Sequence, residues 1–387
     1  MSRFYLNQFK YILLFNSCRY RRGDQIGKSS LHDFGLVLTS KTKYFVSGMV
    51  LAAVLRPEIL LWAIPLLLLL GTIAVLGLLV VVFLIRLYAQ VTCGVYNGKA
   101  RMDGKTVIVT GCTSGIGKET ARDLAKRGAR VIMACRNMDL AEKIKDEIIK
   151  ETDNSKVIVK KLDLSSFASI REFADDINKT ETKLDVLIHN AGYAQTFKKA
   201  KTEDGLEMTM ATNHYGPFLL THLLINLLKK SSPSRIVVVS SSLYRLARVN
   251  LENPNPLDTM PGYLYYVSKE ANILFTKELA RRLEGTGVTV NCLHPGLIDT
   301  GIWKNVPAPL SWGLALIIKG FFKTPQQGCQ TTVKLAVEEK LLKTTGKYFS
   351  DCQESSVSTS ASDMGKARKF WEISEKLVQL EENDPRI

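Results

Sequence analysis

The chain has 387 residues, enough for one large domain or two ordinary ones, and its 46% hydrophobic and 23% charged residues exclude a disordered protein. Its net charge of +15 is not that of a nucleic-acid binder, because residues 1–105 carry thirteen Lys/Arg against four Asp/Glu and so supply +9. The remaining +6 is spread over 282 residues with no basic patch interleaved with aromatics, and nucleic acid is excluded as a partner.

Residues 1–44 form a basic leader. From Ile59 to Ile85 the sequence "ILLWAIPLLLLLGTIAVLGLLVVVFLI" runs 27 residues without a charge. About 20 apolar residues cross a bilayer core, so this stretch predicts a transmembrane helix within an anchor region at 45–90. It is too long for a signal-peptide core, and no small-residue cleavage site follows. The preceding "YFVSGMVLAAVL" is too short to span and suits an interface. A linker at 91–103 leads to the rest of the chain. Nine basic residues precede the span and four follow it up to Lys105. Counted naively, that bias holds the amino terminus in the cytoplasm and sends the remainder into a lumen. The basic, acid-poor segment 1–28 also reads as a mitochondrial targeting sequence, or as an extension without a role. The placement adopted is the endoplasmic reticulum membrane with the large domain in the cytosol, a mitochondrial membrane being the alternative.

From residue 104 the pattern changes. "KTVIVTG" (105–111) is a β-branched run that predicts a buried strand. "GCTSGIG" (111–117), a helical "KETARDLAKRGA" and a second strand "RVIMAC" follow. Strand, glycine turn, helix and strand make the first unit of a doubly wound sheet. Gly111 permits the tight turn, while Gly115 and Gly117 let backbone approach a pyrophosphate at the helix amino terminus. Thr113, Ser114 and Ile116 belong to the same turn. An NAD site carries an acidic residue about 20 residues beyond the glycines. Here "ACRN" stands at that place, and Arg136 lies 19 residues after Gly117. A guanidinium there pairs with a 2′-phosphate, which favours NADP(H).

Four more strands are predicted, at "KVIVKKLDL" (156–164), "LDVLIHNAG" (184–192), "SRIVVVSSS" (234–242) and "VTVNCLHPG" (288–296). Near-continuous apolar strands separated by helices predict an α/β, Rossmann-type parallel sheet covered on both faces. Ligands bind beyond the carboxyl ends of such strands. Asp163, Asn190, Ala191, Gly192, Pro295 and Gly296 fall there and are read as cofactor-lining, with Thr300 just beyond. The seven cysteines show no C-x-x-C pair and no ligand spacing, and the five histidines are scattered. Reduced thiols facing the cytosol and no metal site are expected.

"TGCTSGIG", "HNAG", "SSS", "YYVSK" and "HPG" occur in the order and spacing of the short-chain dehydrogenases/reductases, which residues 104–387 resemble. "TNHYGPFLLTHLL", "SKEANILFTKELARRL" and "GKYFSDC" are similar to the membrane-bound retinol dehydrogenases of that family. The long basic leader departs from that subgroup's short anchor. The resemblance implies a proton donor at Tyr265, the only tyrosine four residues before Lys269. Lys269 then lies on the same helix face and also holds the nicotinamide ribose. Its ammonium is expected to lower the tyrosine pKa. The resemblance further implies that Ser241 polarises the carbonyl and that Asn213 supports a water and lysine relay. His214 and His222 are read as structural.

Residues 297–325 hold Trp303, Trp312, Leu314, Leu316, Ile317, Phe321 and Phe322 without an obvious charged recognition group, which suits a lipophilic ligand. The same segment also reads as an ordinary amphipathic helix. The expected partners are therefore a lipophilic small molecule, such as retinal or retinol, and a membrane, with a homodimer compatible. The rivals are the same chemistry on a steroid or lipid-derived aldehyde, and a non-catalytic NADP-binding membrane scaffold.

Overall fold

A computed structural model describes residues 57–298 and 322–387. The basic leader, the short apolar stretch at 44–55, Thr300, and the aromatic positions Trp303 to Phe321 lie outside the described residues. Two compact units divide the chain, residues 1–80 and 81–387.

The first described element, α1 (Pro57–Val91), is a 35-residue helix. Its stretch Leu61–Tyr88 has a mean hydropathy of 3.1 and none of it is buried. A helix that is apolar all round and unburied fits a lipid environment, and this one is long enough to cross a membrane. Pro65 sits within its first turns. As the ninth helical residue it lies past the first turn, so its missing N–H leaves out one intrahelical bond, to the Leu61 carbonyl.

The second unit is built on one eight-stranded sheet. The strands are β1 (Thr106–Thr110), β2 (Arg130–Cys135), β3 (Val157–Lys161), β4 (Val186–His189), β5 (Ser234–Val239), β6 (Val288–His294), β7 (Tyr348–Ser350) and β8 (Gln353–Ser355). Their spatial order is β3-β2-β1-β4-β5-β6-β7-β8. All pairs are parallel except β7 with β8. The helices of eight residues or more are α2 (Gly115–Lys126), α3 (Met138–Thr152), α4 (Phe167–Thr180), α5 (Gly216–Lys230), α6 (Pro261–Arg282), α7 (Gln330–Val337) and α8 (Met364–Leu377).

The continuous apolar strands are explained by the two cores they separate. Side chains alternate across a strand. Ile108, Ile132, Leu187 and Ile236 enter one core, against α4, α5, α6 and α8. Val107, Val109, Val131, Met133, Val186, Ile188 and Val237 enter the other, against α2, α3 and α7. A polar residue on either face of a central strand would meet packed hydrocarbon, which is why these runs show no two-residue alternation.

The sheet differs from the expected one at its far edge. The six predicted strands are present, β2 with its predicted bounds and the other five shorter, and β7 and β8 add a hairpin that makes the edge antiparallel. Asp351 and Cys352, both with positive φ, form its two-residue turn. Conformations of that sign suit the right-handed twist of a hairpin. Residues between α1 and β1 are held along the second unit. The Gly94 N–H donates to Asp351 Oδ1 at 3.2 Å and the Tyr96 N–H to Gln330 Oε1 at 3.1 Å. Arg127 Nη1 donates to the carbonyls of Gly98 and Ala100.

Candidate active site

β1 and β4 are neighbours, yet the chain leaves β1 toward β2 on one side and returns to β4 on the other. At such a reversal the connecting loops part and leave a crevice beyond the strand ends. A cleft of about 490 Å³ lies there.

One end of the cleft is the turn after β1. Gly111 has φ +73° and Gly115 φ +58°, conformations that L side chains adopt at a cost. A Cβ on Gly117 would stand 2.3 Å from the Gly111 carbonyl and 2.4 Å from Asn190 Nδ2. This close approach brings the start of α2 against the turn. The Asn190 side chain fastens it by donating to the carbonyls of Thr110 (2.8 Å) and Gly111 (3.2 Å). Ser114, the residue before α2, makes no side-chain cap. The first N–H groups of the helix therefore remain available beside the cleft, as a phosphate requires. Thr113, Ser114, Ile116, Ala191 and Gly192 line the same space.

Arg136 and Asp163 stand at the ends of β2 and β3 and also line the cleft. Their charged groups are 3.9 Å apart and the Arg136 side chain is 69% exposed. A contact that long on so open a guanidinium holds it weakly, so Arg136 is able to turn toward an anion. Asp163 is occupied by Ser165, accepting from its N–H (2.9 Å) and its hydroxyl (2.6 Å). The glycine cradle, the uncapped helix start and the exposed guanidinium together fit a dinucleotide with a 2′-phosphate.

At the other end stand residues from β5 and α6. Pro261 at the first turn of α6 presets the helical φ and lacks only an N–H that would be orphaned anyway. Tyr265, one turn on, and Lys269, two turns on, line the cleft. The Lys269 Nζ lies 5.5 Å from the Tyr265 ring centroid and donates to the Val239 carbonyl at 3.0 Å. Ser241 is hydrogen-bonded to the Tyr265 hydroxyl and accepts from the Leu243 N–H at 3.2 Å. Its neighbour Ser240 instead donates to the Lys269 carbonyl at 2.7 Å, which ties β5 to α6. Geometry thus separates the three consecutive serines: Ser240 braces the helix, Ser241 faces the phenol, and Ser242 opens a 3₁₀ turn.

Burial governs both titrating groups. The Tyr265 ring is only partly buried, but protein crowds its hydroxyl, and this loss of water pushes its pKa up to about 12 against the opposing Ser241 hydrogen bond. The expected lowering by Lys269 is overturned here. The ammonium is directed at the Val239 carbonyl, and desolvation of the phenol dominates. Burial likewise pushes Lys269 down to about 8.

Asn213 does not line the cleft. It sits in a π-helical turn, Ala211–Tyr215, just before α5. Its Oδ1 accepts from the Tyr193 N–H at 2.7 Å, while Nδ2 donates to the Tyr193 carbonyl and the Ser268 hydroxyl, both at 2.9 Å. The side chain is committed to fixing the loop after β4. A Cβ on Gly192 would lie 3.8 Å from Lys269 Nζ and 4.0 Å from Asn213 Oδ1, so these two flank Gly192. Pro295 and Gly296 close the wall. His214 and His222 are buried in an aromatic cluster with Phe218 and Trp371, and burial keeps both neutral near pH 7. Sequence reasoning missed the Val239 carbonyl, the Tyr193 backbone and Ser240. Two of these act through main-chain atoms, which carry no residue signature.

A parallel sheet with a glycine cradle at its crossover and a tyrosine–lysine–serine group facing it defines a nucleotide-dependent oxidoreductase. The short chain dehydrogenase family model matches residues 105–310, over half of the chain. Retinol dehydrogenase 14 of Mus musculus is 46% identical over 295 residues, covering 72% of this chain and 87% of that protein. Retinol dehydrogenase 11 of Mus musculus is 43% identical over 313 residues, covering 80% of this chain and 98% of that protein. A solved protein from Mycobacterium paratuberculosis superposes with a TM-score of 0.59 at 32% identity, covering 73% of this chain and 96% of that one. The chain belongs to the short-chain dehydrogenase family and is an oxidoreductase.

Proposed function

We propose that the chain is a membrane-associated, NADP(H)-dependent oxidoreductase that interconverts a lipophilic carbonyl and its alcohol, with retinal and retinol as the pair. One observation carries this reading: the Tyr265 hydroxyl, hydrogen-bonded to Ser241 and backed by Lys269, stands in the same cleft as the glycine cradle. The substrate is supported by the similarity to proteins named retinol dehydrogenases. A solved short chain dehydrogenase from Escherichia coli CFT073 with NADPH shares the fold, at a TM-score of 0.53 and 24% identity.

Gly111, Gly115, Gly117 and the start of α2 would hold the pyrophosphate, Arg136 the 2′-phosphate, and Lys269 the nicotinamide ribose. When bound, the reduced nicotinamide supplies a hydride. Ser241 donates a hydrogen bond to the substrate oxygen and stabilises the charge that builds there. Tyr265 delivers the proton to that oxygen, and with a pKa near 12 it is protonated throughout the physiological range. Lys269, charged below about pH 8, offsets the tyrosinate left behind. Asn213 acts as a positioning residue, fixing the Tyr193 backbone next to Gly192, which Lys269 flanks.

NADPH oxidation followed with all-trans-retinal tests the reading, using the full chain in lipid nanodiscs. Turnover with retinal and little with a short water-soluble aldehyde is expected. No turnover on any lipophilic aldehyde, with NADPH still bound, would favour the scaffold instead. Arg136→Ala should raise the KM for NADPH about ten- to a hundredfold, the worth of one charge-assisted contact, and leave that for NADH unchanged. Equal effects on both nucleotides would remove Arg136 as the phosphate ligand.

The catalytic unit is proposed to face the cytosol at the endoplasmic reticulum membrane. Asn178 in "NKT" is the only N-x-Ser/Thr sequon of the chain. It lies exposed in the last turn of α4, its amide donating to the Leu223 carbonyl at 3.0 Å. Expression with microsomes is expected to leave it without a glycan, and an endoglycosidase-sensitive mass shift would contradict the placement.

A further inference from the structure

Two cysteines beside the nucleotide end of the cleft have no part in the chemistry above. Cys112 follows Gly111 in the turn after β1, and Cys135 is the last residue of β2. Those strands are hydrogen-bonded neighbours, with Thr110 in register with Ala134 and the Gly111 N–H donating to the Ala134 carbonyl at 2.9 Å. Both cysteines belong to the core layer between the sheet and α2 and α3. The Cys112 thiol donates to the Val109 carbonyl at 2.8 Å, and its side chain adjoins that of Cys135. Extending the Thr110–Ala134 register sets Cys135 level with Gly111, so Cys112 is one residue past it on the neighbouring strand's exit. Both are buried, Cys112 at 0% and Cys135 at 2% exposure, and of the two only Cys135 contributes to the wall of the cleft.

We infer that Cys112 and Cys135 form an oxidisable dithiol, a modification site that a hydroperoxide entering the cleft closes into a disulfide. Cys135 is the attacking thiol. The adjoining Cys112 side chain holds it below the usual thiol range, while burial raises Cys112. The Cys135 thiolate attacks the peroxide O–O bond, takes one oxygen as a sulfenic acid and releases hydroxide. The Cys112 sulfur then attacks the sulfenic sulfur; the S–S bond forms as the S–O bond breaks, and the thiol proton leaves with that oxygen as water. Two thiols lose two electrons and one peroxide becomes two waters. Closure turns Cys112 away from Val109 and pulls on the turn between Gly111 and Thr113, so nucleotide binding weakens.

The test uses the full chain in nanodiscs, treated with hydrogen peroxide with and without NADPH, then alkylated with N-ethylmaleimide and digested with trypsin. Cleavage at Lys and Arg places Cys112 in residues 106–118 and Cys135 in residues 131–136, so a disulfide joins two distinct peptides. Mass spectrometry should find that joined pair, dithiothreitol should remove it, and NADPH should suppress its formation. The oxidised chain should bind NADPH roughly tenfold more weakly. Recovery of both peptides alkylated, or of Cys135 as a sulfinic acid with Cys112 alkylated, overturns the pairing. In Cys112→Ala the reaction should stop at the Cys135 sulfenic acid, captured by dimedone, and no adduct there counts against Cys135 as the attacking thiol. Only the NADPH arms rest on the nucleotide reading. A cross-link that forms equally with NADPH present overturns the entry of oxidant through the cleft, and failure of the cross-link leaves that reading intact.

Discussion

Tyr265→Phe is expected to lower kcat for retinal reduction by about 10²–10⁴, the usual contribution of a positioned general acid. The substitution removes one hydroxyl and keeps the ring, so the edge-to-face contact with Tyr266, at 6.0 Å between centroids, persists. Lys269 retains its bond to Val239, which does not involve the phenol. NADPH affinity measured by fluorescence titration should therefore be unchanged, and the loss should appear in stopped-flow NADPH oxidation alone. Rates equal to wild type would eliminate Tyr265 as the proton donor. A lost affinity together with a lost rate would point to a collapsed site. Ser241→Ala should fall in the same direction by a smaller factor, since a donor to the developing oxyanion is lost while the acid remains.

Much of the fold was legible because buried parallel strands write their environment directly into sequence. "TVIVT" and "RVIMAC" are apolar on both faces because each face meets a different core, and the glycines between them are needed for close approach. The edge hairpin was not legible. β7 and β8 have three residues each, and their pairing depends on β6, more than fifty residues away in the chain. Nor was the π-helical turn, since "ATNHY" carries nothing that distinguishes it from the helix that follows. It arises where Asn213 must reach Tyr193 and Ser268 at once.

The site was legible as a set of residues but not as a set of energies. Spacing put Tyr265 and Lys269 on one helix face and suggested a single electrostatic effect. It could not show that Val239 takes the ammonium, because a carbonyl at a strand end has no side-chain signature. Desolvation then raises the phenol and lowers the lysine together. The two pKa values, about 12 and about 8, leave a broad range above 8 in which the tyrosine is protonated but the lysine is neutral.

That range gives the second large effect. Reduction needs Tyr265 protonated, which holds below about 12, and Lys269 charged, which holds below about 8. The kcat for reduction should thus be flat from pH 6 to 7 and fall through about 8 as the ammonium is lost. Alcohol oxidation needs the phenol to accept a proton and should instead gain from rising pH. Lys269→Met keeps the apolar stem and removes the charge, and is expected to lower kcat by about 10²–10³, the scale of one lost electrostatic partner. It should also raise the KM for NADPH, because Lys269 lines the cleft, whereas Tyr265→Phe should not. Most telling is the pH profile. The variant should lose the fall near 8, and a fall that persists in Lys269→Met would assign it to another group. Lys269→Arg should rescue little, since the larger fork must enter a space in which the native side chain is only 3% exposed.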